Sequence, residues 1–412
     1  MLLILTHRCI PRAAVSSRGY TSLQREEFSV SPDIPSPASD VAPEDMRRST
    51  RDPASLRRAL EGWLAGKLPG DAKPEVSDVS SPSANGLSSE TLLFDACWQE
   101  RGASVTGSFV ARVEPDRDDC PVFPVYDMEA QYHLLEIVAQ RSRVPVPVVR
   151  WLELGSEHLG APFFVMERAE GRVPPDVLPY TFGSWLSEAT PEERRTLQDS
   201  SVAVLAELHK IDAASPDLAF LELDLPGETP LQRHFEDLRR YYQWMRGERR
   251  HPVLEQAFDW IESHWPDEEG ETVVSWGDSR IGNILYSGFE PAAVLDWEMA
   301  ARGPRELDLG WMVFLHCFFD EIARGAEFPG IPDFMQPADV AATYETLSGH
   351  PVRDFDFYQV YAALRHGIVM ARVHERRVHF GEAEWPEDVD SVIFHRATLE
   401  CMMDGSWWRR PA

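Results

Sequence analysis

The sequence has 412 residues, with 40 Lys and Arg against 68 Asp and Glu, so its formal net charge is −28. This charge argues against a general nucleic-acid-binding protein, because affinity for a phosphate backbone depends on clustered cations. Hydrophobic residues make up 43% of the chain and charged residues 26%, which is the composition of a soluble globular protein long enough for two cores or one large two-lobed core. No apolar run reaches about eighteen residues, which excludes a membrane-spanning helix.

The cysteines predict neither a disulfide framework nor a zinc site. There are five of them, they lie far apart, and no two form a C-x-x-C pair. They are Cys9, Cys97, Cys120, Cys317 and Cys401. This pattern favours a reducing compartment, so we expect a cytoplasmic protein.

Residues 1–47 are predicted to be a disordered extension. Residues 31–45 are rich in Pro, Ser and Asp and cannot bury enough apolar surface to offset the loss of chain entropy. Residues 1–25 combine a short apolar run with four arginines, among them Arg8, Arg12 and Arg18, and no acid, which resembles a weak transit peptide and would favour an organellar location. A disordered tail or an over-long choice of start codon is the alternative interpretation.

Residues 48–168 are predicted to form a β-rich lobe. Apolar residues recur at helical spacing in residues 53–68 and again in 127–140, which predicts one helix leading into the lobe and one inside it. Extended segments separated by turn residues predict an antiparallel sheet. The predicted strands cover residues 75–79, 91–98, 108–113, 148–153 and 163–167.

Residues 169–412 are predicted to form a mainly helical lobe. A capping box, Thr190 to Glu193 with Pro191 at the first helical position, opens a helix that extends to about Ile211. Further helical periodicity covers residues 231–246, 253–264, 306–323, 340–347 and 355–374. Three short predicted strands, at 272–276, 284–286 and 292–296, indicate a small sheet embedded among the helices. The fold class expected for the whole chain is therefore α+β with two lobes.

The residues best suited to catalysis lie in and around these three strands. Asp278 follows the first strand, Asn283 comes five residues later, and Asp296 lies thirteen residues further on, at the end of the next hairpin. A hairpin places its two ends side by side, so the three side chains can converge. Phosphoryl transfer needs one carboxylate to accept or orient the hydroxyl of the nucleophile, and an Asn oxygen and a second carboxylate to hold Mg²⁺ against the nucleotide phosphates. The spacing matches the catalytic and metal-binding loops of protein kinases.

These motifs resemble those of the aminoglycoside phosphotransferase and choline kinase superfamily. That family carries H-G-D-x-x-x-x-N, then I-D-W-E, then a D-L-A segment. This chain has W-G-D-S-R-I-G-N at 276–283, L-D-W-E at 295–298 and E-L-D-L-G at 306–310, and the likeness extends to G-A-P-F-F-V-M-E at 160–167 and A-E-L-H at 206–209. It covers about residues 50–400, and the chain most resembles mycobacterial and actinobacterial phosphotransferases with the S-W-G-D-x-R-x-G-N form.

The resemblance implies a bilobal, protein-kinase-like fold and an ATP- and Mg²⁺-dependent kinase that phosphorylates a hydroxyl of a small molecule. Carried over position by position, it implies Asp278 as the catalytic base and Asn283 and Asp296 as Mg²⁺ ligands. Three supporting residues are implied as well, namely Glu298, Arg280 and Asp308, of which Asp308 would brace the backbone of the catalytic loop.

The resemblance also implies nucleotide-binding residues in the β-rich lobe. Arg112 stands where the family places the cation that grips the α- and β-phosphates, although a solvated strand edge is its alternative interpretation. Glu167 and Ala169 belong to a hinge at 166–169 whose backbone would bind the adenine. Ser88 and Ser89 belong to a loop, Asn85 to Thr91, that would cover the phosphates, and an ordinary hairpin turn is the alternative there. ATP is the expected donor, and GTP stays an alternative.

Three departures from the family pattern bear on the activity. Trp276 replaces the usual His before Gly-Asp, and Arg112 replaces Lys, whose compact ammonium places its charge differently from a planar guanidinium. The helix carboxylate that should pair with this cation aligns at Gln131, with Glu129 two residues away.

These departures keep a second hypothesis open, a kinase-like nucleotide-binding protein that has lost or redirected its chemistry. A metal-dependent hydrolase is a weaker third, because two carboxylates and an Asn can also bind a hard cation. The expected partner is a small molecule with a hydroxyl group. Its identity and the oligomeric state do not follow from the sequence.

Overall fold

The computed structural model of the chain describes residues 51–70, 72–81, 88–176 and 179–409. The predicted extension over residues 1–47 and part of the predicted phosphate loop, including Asn85, lie outside these ranges. The boundary between lobes at residue 168 stays a prediction.

A five-stranded antiparallel sheet forms the first lobe, as predicted. The strands lie in the order β1-β2-β3-β5-β4, and neighbouring strands are antiparallel throughout. They are β1 (Glu75–Val76), β2 (Glu90–Glu100), β3 (Ala103–Val113), β4 (Val149–Glu153) and β5 (Phe163–Glu167). β2 and β3 are longer than predicted, because they form one continuous hairpin in which Glu100 lies opposite Ala103.

Alternation along β3 separates two packing surfaces and sets the direction of Arg112. Ala111 belongs to the core beneath helix α1 (Pro53–Lys67), whereas Val110 belongs to the larger core that includes helix α2 (Met128–Arg141) and the second lobe. Side chains two residues apart on a strand point to the same face. Arg112 therefore shares the face of Val110, toward the second lobe.

The second lobe is mainly helical, as predicted. The capping box forms as expected, because Thr190 Oγ1 accepts from Glu193 N (3.2 Å) and Glu193 Oε2 accepts from Thr190 N (2.9 Å). The helices are α3 (Pro191–Leu208), α4 (Pro230–Arg246), α5 (Pro252–Ser263), α6 (Glu306–Gly325), α7 (Pro337–Ser348), α8 (Phe355–His379) and α9 (Arg396–Met403). Helix α9 was not predicted, because its eight residues give little more than two turns of periodicity.

The embedded strands form two ladders instead of the single small sheet predicted. β6 (Thr272–Ser275) pairs with β9 (Ala301–Pro304), and β7 (Ile284–Ser287) pairs with β8 (Glu290–Val294). β9 was not predicted, because its sequence, Ala-Arg-Gly-Pro, has little strand propensity and the pairing comes from tertiary context. The predicted catalytic loop follows β6 and the predicted metal-binding loop follows β8, so the two ladders place both loops in one region.

Among the described residues, no helix combines the length and the apolar character needed to span a bilayer. Cys97, Cys120 and Cys317 carry free thiols. Cys401 takes part in a disulfide, a contact in three dimensions that local cysteine spacing does not predict. The cytoplasmic location stays a prediction.

Candidate active site

Gly277 begins the predicted catalytic loop in a conformation that residues with a side chain rarely adopt. Its φ is +89°, and a Cβ at this position would lie 2.0 Å from the carbonyl oxygen of Met299. The glycine thus permits a close approach between the loop after β6 and the segment before β9. Asp278, the next residue, lies at this junction with 15% of its side chain exposed.

Asp308, at the start of α6, accepts hydrogen bonds from the residues that lead into the loop, 275–277. Its Oδ1 accepts from Ser275 Oγ and Gly277 N (both 2.9 Å), and its Oδ2 accepts from Trp276 N (2.9 Å) and lies 3.0 Å from His209 Nε2. Burial opposes ionisation of this fully buried carboxyl, but the hydrogen bonds from His209 and the backbone outweigh it and lower its pKa. The contacts are those of the bracing residue that the family resemblance implies.

Both oxygens of the Asp278 carboxylate accept hydrogen bonds. Oδ1 accepts from Trp311 Nε1 (2.7 Å), and Oδ2 accepts from Asn283 Nδ2 (2.6 Å) and Arg280 Nε (3.2 Å). Arg280 also pairs with Asp176; burial opposes its charge, but the two carboxylates raise its pKa. These contacts fix the carboxylate plane, and Oδ1, which accepts one hydrogen bond where Oδ2 accepts two, keeps a lone pair for the proton of a hydroxyl.

Asn283 and Asp296 are brought together by the β7–β8 hairpin. Leu295 N donates to Asn283 O (2.8 Å), so the residue before Asp296 is bonded directly to the backbone of Asn283. Asp296 has a φ of +60°, in the left-handed region, which turns its side chain out of the path of the strand. Because Asn283 Nδ2 donates to Asp278, the oxygen Oδ1 is the atom of this amide that is left for a cation.

This donor set fits Mg²⁺ and does not fit a cation held by protein ligands alone. Within the described ranges, no group of three or more His, Cys, Asp and Glu side chains is arranged to hold a metal ion. Mg²⁺ is commonly held by one or two carboxylates together with substrate phosphates and water. One amide oxygen and one carboxylate beside a phosphate site therefore suit Mg²⁺ that arrives with a nucleotide.

Trp276, which stands in place of the usual His of the family pattern, connects the two loops. Its side chain is fully buried, and its Nε1 donates to the carbonyl oxygens of Leu295 (2.9 Å) and Asp296 (3.0 Å). The indole therefore supports the backbone of Asp296 from within the catalytic loop.

Arg112 reaches across to the second lobe. Its Nη2 donates to Asp296 Oδ1 (2.7 Å) and lies 3.4 Å from Glu298 Oε2, while Nη1 donates to Thr91 Oγ1 (3.1 Å). The guanidinium is only 12% exposed, so the interpretation as a solvated strand edge is wrong.

The expected partner on α2 is not used. Gln131 is buried, whereas Glu129 is exposed and lies 4.0 Å from His133. The cation of β3 is therefore paired with the predicted metal-binding loop and not with a helix carboxylate.

Glu298 is a buried acid at this site whose pKa is strongly raised. Burial raises its pKa to about 8, the charge of Asp296 adds to the effect, and Arg112 and a hydrogen bond from Ser88 oppose it. Only 5% of the side chain is exposed. Burial thus favours the neutral form of the Glu298 carboxyl.

The remaining predicted nucleotide-binding residues lie around this cluster. Ser88 Oγ lies 2.9 Å from Tyr126 Oη, and Ser89 Oγ is buried without a hydrogen-bond partner in the described part of the chain. The Glu167 carboxylate pairs with Arg150 and is directed to solvent, so only its backbone could serve a nucleotide. No hydrogen bond of the described residues involves the backbone of Ala169, which leaves its N–H and C=O for a base.

Neither Trp311 nor Asp176 was predicted from the sequence to lie at this site. Trp311 lies three residues after Asp308 on α6, and helical spacing places both on one face, a signal that was present in the sequence. Asp176 lies in an irregular segment, and only the tertiary fold brings it to Arg280.

Known proteins share this architecture. Residues 100–333 match the family described as the phosphotransferase enzyme family, APH. Acyl-CoA dehydrogenase family member 11 of Rattus norvegicus is 29% identical over 288 residues, which cover 67% of this chain and 34% of that protein. The chain spans about a third of the length of the curated relatives it matches.

Two solved structures agree with the fold. A candidate aminoglycoside phosphotransferase from Ralstonia eutropha superposes with a TM-score of 0.60 at 23% identity, covering 86% of this chain and 99% of its own. Ethanolamine kinase of Plasmodium vivax superposes with a TM-score of 0.55 at 12% identity, covering 84% and 87%. These likenesses concern the fold. Since the family match extends over more than half of the 412 residues, the chain belongs to the phosphotransferase enzyme family.

Proposed function

We propose that the protein transfers the γ-phosphoryl group of ATP to a hydroxyl of a small molecule in a Mg²⁺-dependent reaction, with GTP as the alternative donor. The observation that carries this proposal is the arrangement of Asp278, which is held through both oxygens beside Asn283 while Asn283 is tied to the loop of Asp296. A base next to a site for a hard cation is what phosphoryl transfer requires.

In the proposed mechanism, Asp278 accepts the proton of the acceptor hydroxyl. Trp311 and Arg280 hold its carboxylate, so little reorganisation accompanies the transfer. Asn283 Oδ1 and the Asp296 carboxylate would hold Mg²⁺, which when bound neutralises charge on the nucleotide phosphates.

Arg112 would exchange partners when the nucleotide binds. Its guanidinium pairs with Asp296 and lies against Glu298 in this structure. A cation at Asp296 would replace that charge and leave the Arg112 donors for the α- and β-phosphates, which suit a planar guanidinium. Adenine would lie against the backbone near Ala169.

The second candidate function is nucleotide binding without phosphoryl transfer. The observation in its favour is that Arg112 pairs with the predicted metal ligand itself, a contact that would persist in a protein that no longer binds Mg²⁺. The two candidates differ in the metal dependence of nucleotide binding and in turnover.

Nucleotide titration with and without Mg²⁺ tests the proposed metal site. We expect Mg²⁺ to strengthen ATP binding to the parent protein, and Asp296→Ala to abolish that gain, because Asn283 alone cannot hold the ion. Asp339→Ala, which changes an exposed carboxylate on α7, is the matched control. An unchanged metal dependence in Asp296→Ala would place the ion elsewhere.

A further inference from the structure

Arg365, on helix α8, contacts the residue that precedes the predicted catalytic base. Its Nη1 donates to the carbonyl oxygen of Gly277 (3.3 Å), the residue before Asp278. Its guanidinium carbon lies 5.3 Å from the ring centroid of Trp311, whose Nε1 holds the Asp278 carboxylate. Arg365 thus contacts both the residue before the proposed base and the indole that holds its carboxylate.

Within the described part of the chain, Arg365 differs from the other cations at the site because no carboxylate pairs with it. Arg112 pairs with Asp296, and Arg280 pairs with Asp176 and Asp278. No carboxylate of the described residues forms an ion pair with the Arg365 guanidinium, although Asp278, and Asp237 on α4, attract it from a greater distance. One long hydrogen bond uses a single donor of the five that a guanidinium carries.

The environment of Arg365 makes this unpaired charge costly. The side chain is partly buried, and its neighbours Tyr361 and His234 bond to each other, with 2.7 Å between Tyr361 Oη and His234 Nδ1. Burial lowers the pKa of Arg365 in spite of the attraction of Asp278 and other acids. A cation in such a place gains more from an anionic partner than one in water does, because the local dielectric constant is lower.

A second arginine without an ion pair among the described residues lies further along the same face of α8. Arg372 lies seven residues further on, which corresponds to two helical turns and roughly 10 Å along the same face. Its Nε donates to Pro121 O (2.8 Å), and its guanidinium carbon lies 4.2 Å from the ring centroid of Trp244. It too has no ion pair among the described residues. Two cations without carboxylate partners thus share one helix face in a chain whose net charge is −28.

We infer that the phosphate acceptor is an anionic alcohol, a hydroxyl compound that also carries a carboxylate or phosphate group, and that Arg365 is the residue that binds this group. The inference rests on the proposed function and specifies its acceptor. Oxyanions accept two parallel hydrogen bonds from a guanidinium, which Arg365 can supply without giving up its contact with Gly277. A polycationic acceptor would be repelled at this position.

Binding and turnover of matched alcohols test the inference. One pair is β-hydroxybutyrate and its methyl ester, and the other is glycerol phosphate and glycerol. The two members of a pair differ in charge, and comparison of the two pairs distinguishes a site for a carboxylate from a site for a phosphate. Affinities are measured by calorimetry, with and without a saturating non-hydrolysable ATP analogue and Mg²⁺, and turnover is measured with ATP. The variants are Arg365→Gln, which keeps a donor for Gly277, and Arg365→Lys, which keeps the charge. Arg353→Gln changes an exposed arginine that pairs with Glu268 and serves as the control.

We expect the anionic member of at least one pair to bind about tenfold or more tightly than its neutral partner, as a charge-assisted contact allows. Arg365→Gln should remove this preference, Arg365→Lys should retain part of it, and Arg353→Gln should behave as the parent. Equal binding within both pairs in the parent, or a preference that survives in Arg365→Gln, would show the inference to be wrong. Binding decides this point even if no acceptor is phosphorylated, whereas the absence of any phosphorylated product would count against the proposed function.

Discussion

Replacing Glu298 by Gln should stabilise the protein at alkaline pH and not at acidic pH. In the folded state the pKa of Glu298 is about 8, against an ordinary value of 4.5. An acid whose pKa is raised by folding makes its full contribution to the stability of the folded state below its ordinary pKa. That contribution is lost as the pH rises through the pKa of the folded state. The relevant window is therefore pH 4.5 to 8.

The size of the effect follows from the shift. A difference of 8 − 4.5 = 3.5 pKa units corresponds to at most about 5 kcal/mol, at roughly 1.4 kcal/mol per unit. Because 5% of the side chain is exposed, solvent screens the group little. The amide introduced by Glu298→Gln does not titrate, so the stability of the variant relative to the parent should increase across the window by a few kcal/mol, of the order of several degrees in melting temperature.

The assay is thermal unfolding of the parent and of Glu298→Gln at a series of pH values from 5 to 9 without nucleotide. The observable is the difference in melting temperature between the two proteins, which cancels the other titrating groups. Glu290→Gln, on the exposed end of β8, is the matched control and should show a constant difference. A constant difference for Glu298→Gln as well would refute the assignment of a buried, protonated carboxyl next to Asp296.

Two other substitutions test the nucleotide and base positions. Arg112→Met should weaken binding of ATP and ADP by about ten- to hundredfold and leave binding of adenosine nearly unaffected, because adenosine has no phosphate to bind. Arg150→Met, on the exposed face of β4, is the control. Equal losses of affinity for all three ligands in Arg112→Met would exclude a phosphate contact. Trp311→Phe removes the 2.7 Å hydrogen bond to Asp278, so kcat should fall about tenfold with little change in ATP affinity, and a kcat equal to that of the parent would mean that the indole does not orient the carboxylate.

The family resemblance implied a role for Arg112 but not its partner in this structure. Period-two alternation on β3 is local information, and in the structure it gives Arg112 the face of Val110, toward the second lobe. The pairing with Asp296 joins residues 184 positions apart, and local patterns carry no information on such a contact. The family pattern predicted a partner on α2 instead, where Gln131 is buried and Glu129 is exposed.

The same contrast holds for the catalytic loop. The spacing of Asp278, Asn283 and Asp296 predicted their convergence, because a hairpin is a short-range structure. Trp311 and Arg365 reach the loop from two helices that pack against each other only in the folded protein. Their roles depend on tertiary packing, which also explains why β9 and its pairing with β6 were not predicted.

The central claim is that the protein transfers a phosphoryl group with Asp278 as the base. The most direct test is detection of the phosphorylated acceptor by ³¹P nuclear magnetic resonance after incubation with Mg-ATP and a library of hydroxyl compounds. The comparison is between the parent, Asp278→Asn and the control Asp339→Asn. We predict product with the parent and the control, and loss of turnover in Asp278→Asn with ATP affinity near that of the parent. Turnover in Asp278→Asn close to the parent rate would contradict the account.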